Sequence, residues 1–200
     1  MDRFKDDDYD RIWKPYTSSS WELVSLRYAS DLLSANPFIL PPRVMTTAVT
    51  PKNGSRSLEL QYDPDDATKQ FYVYMHFAEV EELGDGGYRN FTILLNGDFW
   101  YGPMSVQYLS PVTVYSQYTV SGTSLELSLV QANDSKFPPI LNAVELYWVK
   151  EFLQSPTEQS DGEFVTFYTY LNYNSIVTTC FQSYIYCVFW SHALCRYCLF

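Results

Sequence analysis

The tightest constraint on the fold is a series of short apolar runs and turn signals near the middle of the chain. Residues 70–80 (QFYVYMHFAEV) are rich in aromatic and β-branched side chains, which is typical of strands. A polar, glycine-rich loop at residues 81–87 separates this run from a second one at residues 91–95. The second run ends at Asn96-Gly97, a dipeptide that favours a two-residue hairpin turn, and residues 99–101 begin the return strand. The pattern predicts an all-β domain.

Further strands are predicted on both sides of this hairpin. Residues 57–62 (SLELQY) and 124–130 (SLELSLV) alternate between apolar and polar side chains, which indicates strands with one buried face. We predict the other strands at residues 21–28, 44–49, 71–80, 90–95, 112–120 and 141–149. Turns containing proline, glycine or asparagine separate them, and no strong amphipathic helix is visible. The sequence therefore predicts a β-sandwich with a jelly-roll-like order of strands.

Composition divides the chain into four segments. Residues 1–20 are expected to be an extended segment, and residues 21–154 the sandwich. Residues 155–163 (SPTEQSDGE) have the character of a polar linker. Residues 164–200 carry one formal charge and are crowded with Phe, Tyr, Cys and Trp. We expect this tail to be irregular and poorly ordered, because recurrent polar residues and the lack of flanking basic residues disfavour a membrane span. Membrane association through the tail stays open.

The acidic balance limits the partners. The formal net charge is −10, so the chain would repel a phosphate backbone, and we expect no nucleic-acid partner. Acidic residues cluster at residues 2–10 and 63–66, and we interpret both groups as solvated surface. The first group lacks the glycine and terminal glutamate of an EF-hand loop, so no metal site is predicted.

Three N-x-S/T sequons point towards the secretory pathway. Asn53, Asn90 and Asn133 each begin one, and each lies beside a predicted turn or strand end. The acidic N-terminus has no apolar core region, so no signal peptide is recognised. The chain is therefore either cytosolic or a piece of a longer protein, and the sequons favour the second reading.

Few residues suggest catalysis, and we predict neither an enzyme nor a cofactor. His76 lies within a predicted strand without a nucleophile motif, which favours a packed or hydrogen-bonded histidine. Glu79, Glu81 and Glu82 could serve a glycosidase only if two carboxylates faced each other at a set separation, and we interpret them as solvated. All four cysteines lie in the tail, where a lone CxxC ends at Cys198 and is a weak metal or redox signal.

Aromatic residues near loops give the better positive case for binding. Trp100 and Tyr101 follow the Asn96-Gly97 turn, while Asp85 and Tyr88 belong to the glycine-rich loop. Sugar rings pack their C–H faces on aromatic planes, and neighbouring polar groups fix the hydroxyls. Each aromatic alone is also compatible with simple packing. We nevertheless select Tyr88, Trp100, Tyr101 and Asp85 as candidate ligand contacts.

Several ordered blocks resemble one known family. The blocks are DDDYDRIWKPY, VMTTAVTP, LQYDPDD, FYVYMHFAEVEEL, NFTILLNGDFWYGP and PPILNAVELYWVKEF. Together they resemble the malectin-like ectodomain of plant leucine-rich-repeat receptor-like kinases, from about residue 6 to residue 160. The resemblance implies the second of two tandem malectin-type sandwiches, on the extracellular face of the plasma membrane. It also implies a membrane span and a cytoplasmic kinase elsewhere in such proteins, neither of which is recognised in this chain.

The resemblance leaves competing functions. A non-catalytic module that binds cell-wall polysaccharide or glycan is the first, since the family is related to the animal lectin malectin. Recognition of a secreted peptide or co-receptor through sheet edges or loops is the second. A truncated product without an independent role is the third. Exposed aromatics at residues 85–88 and 98–101 would favour the first function, and an exposed apolar patch without a polar pocket would favour the second.

Overall fold

The computed structural model describes residues 2–4, 7–26 and 36–150, together with the strand segments 175–180 and 197–198. The predicted linker at residues 155–163, most of the tail and the side chains of its cysteines lie outside the described residues. The expectations for those segments therefore stay predictions.

Strands account for almost all of the regular structure. The described strands are β1 (Asp2–Arg3), β2 (Ile12–Trp13), β3 (Trp21–Ser25), β4 (Thr47–Pro51), β5 (Ser57–Tyr62), β6 (Gln70–Phe77), β7 (Asn90–Leu95), β8 (Asp98–Ser105), β9 (Val112–Tyr115), β10 (Leu125–Gln131), β11 (Ala143–Lys150), β12 (Ser175–Cys180) and β13 (Tyr197–Cys198). One short helix, α1 (Pro42–Met45), precedes β4. The predicted all-β class and jelly-roll sandwich are confirmed.

Two sheets form the sandwich. One has the order β5-β10-β7-β8, and the other has the order β12-β13-β11-β6-β9. Neighbours in each sheet are antiparallel except β12 and β13, which run parallel. Strands distant in sequence lie side by side, as β5 with β10 and β6 with β11. Between these partners the chain passes from one sheet to the other, which is expected of a jelly roll.

The core lies between these sheets because each strand turns alternate side chains inward. The inward residues of β5 and β10 are leucines, which explains the clean alternation seen in both sequences. Across the core, the rings of Phe77 on β6 and Phe91 on β7 lie 5.5 Å apart. The inward residues with the lowest exposure are Leu58, Phe71, Val73, Met75, Phe77, Phe91, Ile93, Leu125, Leu129, Val144 and Leu146.

The hairpin predicted at Asn96-Gly97 is present. Leu95 pairs with Asp98 across the turn, and both turn residues have positive φ, 53° at Asn96 and 83° at Gly97. Glycine meets no Cβ penalty there, and asparagine tolerates the left-handed region better than most residues. A register shift then separates the pairs Leu94–Phe99 and Ile93–Tyr101, so β8 carries a bulge early in its course.

Some predicted boundaries are wrong. The strand predicted at residues 44–49 begins later, because α1 includes Val44 and Met45 after two consecutive prolines. The strand predicted at residues 112–120 ends at Tyr115. The apolar run at residues 71–80 leaves the ladder after Phe77, although Ala78 to Val80 stay buried. In the first and third cases burial extends beyond the hydrogen-bonded strand, so hydrophobicity alone misplaces its end. After Tyr115, by contrast, the chain turns outward, and Tyr118 is 81% exposed.

The alternation in β10 predicts a sharp contrast between neighbouring positions. Leu129 is fully buried, whereas Val130 is exposed on the other face. Leu129→Ala should lower the free energy of unfolding by about 2–5 kcal/mol, because it removes buried methyl groups and leaves a cavity. The matched control Val130→Ala should cost less than about 1 kcal/mol. Urea denaturation measures both values, and equal losses would contradict the assigned inward face.

Candidate ligand-binding cleft

The outer face of the sheet built around β6 is unusually aromatic. On β6, Tyr72, Tyr74 and His76 alternate with the inward residues and therefore point away from the core. Tyr147 of β11 lies opposite Tyr72, and Tyr115 of β9 lies opposite Tyr74. Three adjacent strands thus contribute to one continuous aromatic surface.

These rings contact one another rather than lying as separate surface residues. Tyr74 stacks on Tyr115 with centroids 5.4 Å apart, and it meets Tyr147 edge-on at 5.1 Å. Phe38, from the loop before α1, packs edge-on against Tyr74 at 5.8 Å and lies 5.9 Å from Tyr115. Such offset and edge-on pairs are favourable geometries, so the surface is held in a defined arrangement.

An open cleft of about 380 Å³ lies on this surface. Its floor comes from the sheet, and its walls come from two segments that cross the sheet, residues 7–13 and residues 36–39. The lining residues are Tyr9, Arg11, Pro37, Phe38, Tyr72, Tyr74, Glu145 and Tyr147. The volume lies within the range of sites that hold small molecules.

A buried ion cluster fastens the walls to the floor. Arg11 Nη1 donates to Glu145 Oε1 on β11 at 2.9 Å, and Arg11 Nε donates to Asp7 at 2.9 Å. Arg11 Nη2 donates to the carbonyls of Phe38 and Ile39 in the second wall. Both the arginine and the glutamate side chains are almost fully buried. One guanidinium therefore connects the sheet, the N-terminal segment and the loop before α1.

Further hydrogen bonds fix the two carboxylates. Trp13, which is fully buried, donates its indole N–H to Asp7 at 2.8 Å. Tyr147 donates its hydroxyl to Glu145, and His76 Nε2 lies 3.3 Å from the same carboxylate. The other ring nitrogen of His76 is 2.8 Å from the hydroxyl of Thr113. The prediction that His76 is a packed, hydrogen-bonded strand histidine agrees with this geometry.

The ionisation of the cluster follows from these contacts. Burial alone would raise the pKa of Glu145, but the Arg11 charge and the hydrogen bonds of His76 and Tyr147 outweigh it and lower the pKa to about 2. Burial lowers the pKa of His76, so the imidazole is neutral at pH 7. Burial also raises the pKa of Asp7, against the opposing effects of Arg11 and Trp13. A positive guanidinium and a negative Glu145 therefore face each other beneath the cleft.

The polar groups left for a ligand are tyrosine hydroxyls. Those of Tyr72 and Tyr74 make no hydrogen bond with any residue in the described part of the chain. Tyr9 is 41% exposed, and its ring lies 5.2 Å from the Arg11 guanidinium. The charged groups, by contrast, are engaged with one another. The cleft therefore offers aromatic faces and neutral hydroxyls, a combination that suits an uncharged polar ligand.

The four residues selected from the sequence do not form one site. Trp100 and Tyr101 line a separate groove of about 390 Å³ beside β9. Tyr101 pairs with Ile93, which lies five residues after Tyr88. At about 3.3 Å per extended residue, roughly 16 Å of chain therefore separates the position of Tyr101 from Tyr88. Tyr88 donates its hydroxyl to the carbonyl of Asp134, and Asp85 is exposed in the preceding loop.

Two expectations about acidic residues are wrong. Glu79 is not solvated: it is 2% exposed and receives a hydrogen bond from Arg89 Nε at 2.7 Å. Arg89 also pairs with Glu81, which is half-buried. Asp7 is likewise buried, with its charge held by Arg11. Buried carboxylates require such partners, and partners distant in sequence cannot be seen in a charge count.

The outward residues of the cleft floor have a local signal in the sequence. Tyr72, Tyr74 and His76 occupy every second position of β6, so their shared face follows from the strand period. The roles of Arg11 and Glu145 depend on a contact across 134 positions of sequence, for which the sequence gives no local sign.

The described residues contain neither a metal-binding cluster nor a helix that could span a membrane. No group of three or more His, Cys, Asp or Glu side chains there is placed to hold a metal ion. In the same part of the chain, no helix has the length and apolar character needed to cross a membrane.

Comparison with known proteins now decides the family. The sequence profile of the Malectin-like domain matches residues 1–149. These residues include strands β5 to β10, all but the last residue of β11, and the residues that line the cleft. The chain belongs to the malectin-like domain family. Its predicted resemblance to this family is thereby confirmed.

Curated relatives of this malectin-like domain are plant receptor-like kinases. A putative leucine-rich repeat receptor-like protein kinase of Arabidopsis thaliana is 41% identical over 160 residues, which are 80% of this chain and 18% of that protein. A putative leucine-rich repeat receptor-like serine/threonine-protein kinase of the same plant is 40% identical over 163 residues, with the same coverage. The chain thus spans about a fifth of the length of these relatives.

Solved structures agree on the fold of the malectin-like domain. The structure of the plant peptide RALF23 in complex with FER and LLG2 gives a TM-score of 0.54 at 20% identity, covering 71% of this chain and 42% of that chain. The ANXUR1 extracellular domain from Arabidopsis thaliana gives 0.53 at 14% identity, covering 70% and 41%. Both structures share the fold of this sandwich.

The low pKa of Glu145 predicts acid sensitivity. Its folded pKa of about 2 lies below the ordinary value of 4.5, so ionised Glu145 contributes stability that is complete above pH 4.5 and is lost as the pH falls through 2. Glu145→Gln should therefore destabilise the domain at pH 7, and the difference from the wild type should shrink between pH 4.5 and 2. Urea denaturation at several pH values measures this. The exposed control Glu59→Gln should cost less than about 1 kcal/mol at pH 7. A pH-independent difference for Glu145→Gln would contradict the assignment.

Proposed function

We propose that this malectin-like domain is a non-catalytic, extracellular carbohydrate-binding module, and that its sugar site is the aromatic cleft. The observation that carries the proposal is the pairing of Tyr rings with the hydroxyls of Tyr72 and Tyr74, which make no hydrogen bond within the described part of the chain, over an internally neutralised ion pair. Sugars combine apolar C–H faces with uncharged hydroxyls, and they match both features of the cleft. Cell-wall polysaccharide or glycan is the ligand class.

The engaged ion cluster supports a neutral ligand rather than a charged one. Arg11 directs its donors to Glu145, Asp7 and two backbone carbonyls, so a ligand anion would have to displace an existing partner. Glu145 is enclosed in the same way and is 2% exposed. The cluster therefore shapes the cleft, while the aromatic rings and hydroxyls make the contacts.

A place at the cell surface follows from the relatives. They are receptor-like kinases, and the structures that share the fold include an extracellular domain and an ectodomain. We propose that this domain lies on the extracellular face of the plasma membrane and contributes ligand recognition to signalling.

N-glycosylation in the secretory pathway offers a test of the exposures assigned to the three sequons. Asn53 and Asn133 are exposed in turns, whereas Asn90 is half-buried in β7 with its amide directed at Asp134. In protein secreted from plant cells, glycopeptide mass spectrometry should find glycans at Asn53 and Asn133 and lower occupancy at Asn90. A fully modified Asn90 beside two unmodified exposed sequons would contradict the assigned exposures.

A second candidate function is recognition of a peptide or co-receptor. The FER complex with RALF23 and LLG2 shows that a protein with this fold can take part in such an assembly. In this chain, the aromatics at the β8 and β9 edges are strongly exposed, with Phe99 at 67% and Tyr118 at 81%. Large exposed aromatics are typical of protein interfaces, so this observation favours the second candidate for that surface.

The sugar proposal predicts a contrast between two tyrosines. The full 200-residue chain, secreted and folded, is tested on an array of plant cell-wall oligosaccharides and N-glycans. Tyr72→Ala should weaken saturable binding by about tenfold or more, because it removes a ring from the cleft floor. The matched control Tyr88→Ala removes an exposed tyrosine outside the cleft and should leave binding unchanged.

Thermal unfolding of each variant separates lost binding from lost folding. If the folded wild type binds no sugar, the carbohydrate proposal is contradicted. If binding survives Tyr72→Ala but fails with Tyr88→Ala or Trp100→Ala, the sugar site lies at those loop residues and the assignment to the cleft is wrong.

A further inference from the structure

Two open sheet edges lie beside each other on the side of the sandwich formed by β8 and β9. Among the described strands, β8 pairs only with β7, and β9 pairs only with β6. The groove of about 390 Å³ lies between them, lined by Trp100, Tyr101, Thr113, Val114, Tyr115, Gln117 and Tyr118. Open edges present unpaired backbone groups that accept an added strand.

The first part of β8 has the geometry for such an addition. Leu95 and Asp98 close the two-residue turn, so the N–H and C=O of Phe99 point away from β7 by the alternation of an antiparallel ladder. Phe99 lies opposite Leu94 and Tyr101 lies opposite Ile93, so the bulge places these two exposed rings on opposite faces of the sheet. Trp100 and Tyr101 both line the groove. The bulge and Pro103 end the usable edge, because proline cannot donate a hydrogen bond.

The charge around the groove is one-sided. Residues 90–135 include both edge strands and contain no Lys, Arg or His. Asp98 begins β8, and the backbone N–H of Glu126 donates to Asn96 in the turn that precedes β8, so two acidic residues lie at this end of the sandwich. The net charge of the chain is −10. Basic side chains on a partner would meet this negative field, and they could also lie over the faces of the exposed tyrosines.

The sequons leave this side open. Arg56, at the start of β5, donates to the side chain of Asn133, and Asn90 donates to the neighbouring Asp134. Asn53 belongs to the turn just before β5. All three sequons therefore gather at the end of the sandwich where β7 begins. The turn that leads into Phe99 lies at the other end of β7, away from any glycan anchored there.

From these observations we propose that the edge of β8 at Asp98 and Phe99, before the bulge, and the groove beside it bind an extended, basic peptide segment by strand addition. This inference rests on the second candidate function above, and the experiment below tests it separately from the sugar cleft. The backbone of the peptide pairs with β8, and its alternate side chains enter the aromatic groove. Tyr115 and Tyr118 supply ring faces for its lysine or arginine side chains.

The test uses a displayed library of random linear peptides of about 12 residues, selected on the full chain. Selected peptides should carry more Lys and Arg than Asp and Glu. Binding should fall by about tenfold or more with Tyr118→Ser, and with Phe99→Pro, which blocks the outward N–H. Phe99→Ser separates the loss of the ring from the loss of the donor and should weaken binding less than Phe99→Pro.

The controls keep the two proposals distinguishable. Tyr108→Ser removes an exposed tyrosine outside the groove, and Tyr72→Ala alters the sugar cleft; both should retain peptide binding. The inference is overturned if no peptide is selected, if selected peptides are acidic, or if Phe99→Pro binds as well as the folded wild type. It is also overturned if the chain is a dimer that Phe99→Pro dissociates, because a second copy then covers the edge. Peptide binding lost with Tyr72→Ala alone would move the peptide to the cleft.

Discussion

The guanidinium of Arg11 is the contact on which the candidate site depends. It joins Glu145 on the sheet, Asp7 in the N-terminal segment and two carbonyls before α1. Each partner comes from a different part of the chain, so the ion cluster is what converts a flat sheet face into a cleft with walls. Removing one member would leave an uncompensated buried charge, which typically costs about 3–5 kcal/mol. The cluster therefore holds the cleft walls in place, and protonation of Glu145 in acid lowers the stability of the fold.

The two faces of the β6 sheet serve different purposes. The inner face packs the core through Phe71, Val73 and Met75, while the outer face presents tyrosines. Core packing holds the strand straight and regular, and this regularity places the outward rings at fixed spacing. The same strand thus provides stability on one side and a candidate ligand surface on the other, without any loop insertion.

Tyr115 physically connects the two proposed surfaces. Its ring stacks on Tyr74 in the cleft and also lines the groove beside β8. A ligand that moved this ring would change both surfaces, so sugar and peptide binding could influence each other through a direct contact. Such coupling would be reciprocal, with each ligand changing the affinity of the other by the same factor.

The sequence predicted the fold well because the relevant signals are local. Alternation in β5 and β10 and the Asn96-Gly97 turn identify strands and a hairpin from neighbouring residues alone. Strand ends were less accurate, since burial persists beyond Phe77 where the ladder stops. These errors shift boundaries and leave the architecture unchanged.

The candidate site was harder to foresee because it is assembled from distant segments. The outward face of β6 could have been recognised from its two-residue period. The pairing of Arg11 with Glu145, and that of Arg89 with Glu79, depends on tertiary structure. Counting charges therefore assigned buried carboxylates to the surface. Trp100 and Tyr101, which were predicted as ligand contacts together with Tyr88, line a groove that is separate from the loop that carries Tyr88.

The central claim is that the buried Arg11 cluster holds both walls of the cleft against the sheet. Native-state hydrogen exchange of Arg11→Met, read by peptide mass spectrometry against the exposed control Arg56→Met, tests it most directly. We predict faster exchange in residues 7–13 and 36–40 of Arg11→Met, with β6 and β11 still protected. Unchanged exchange in both walls, or uniform acceleration across the whole sandwich, would contradict the claim.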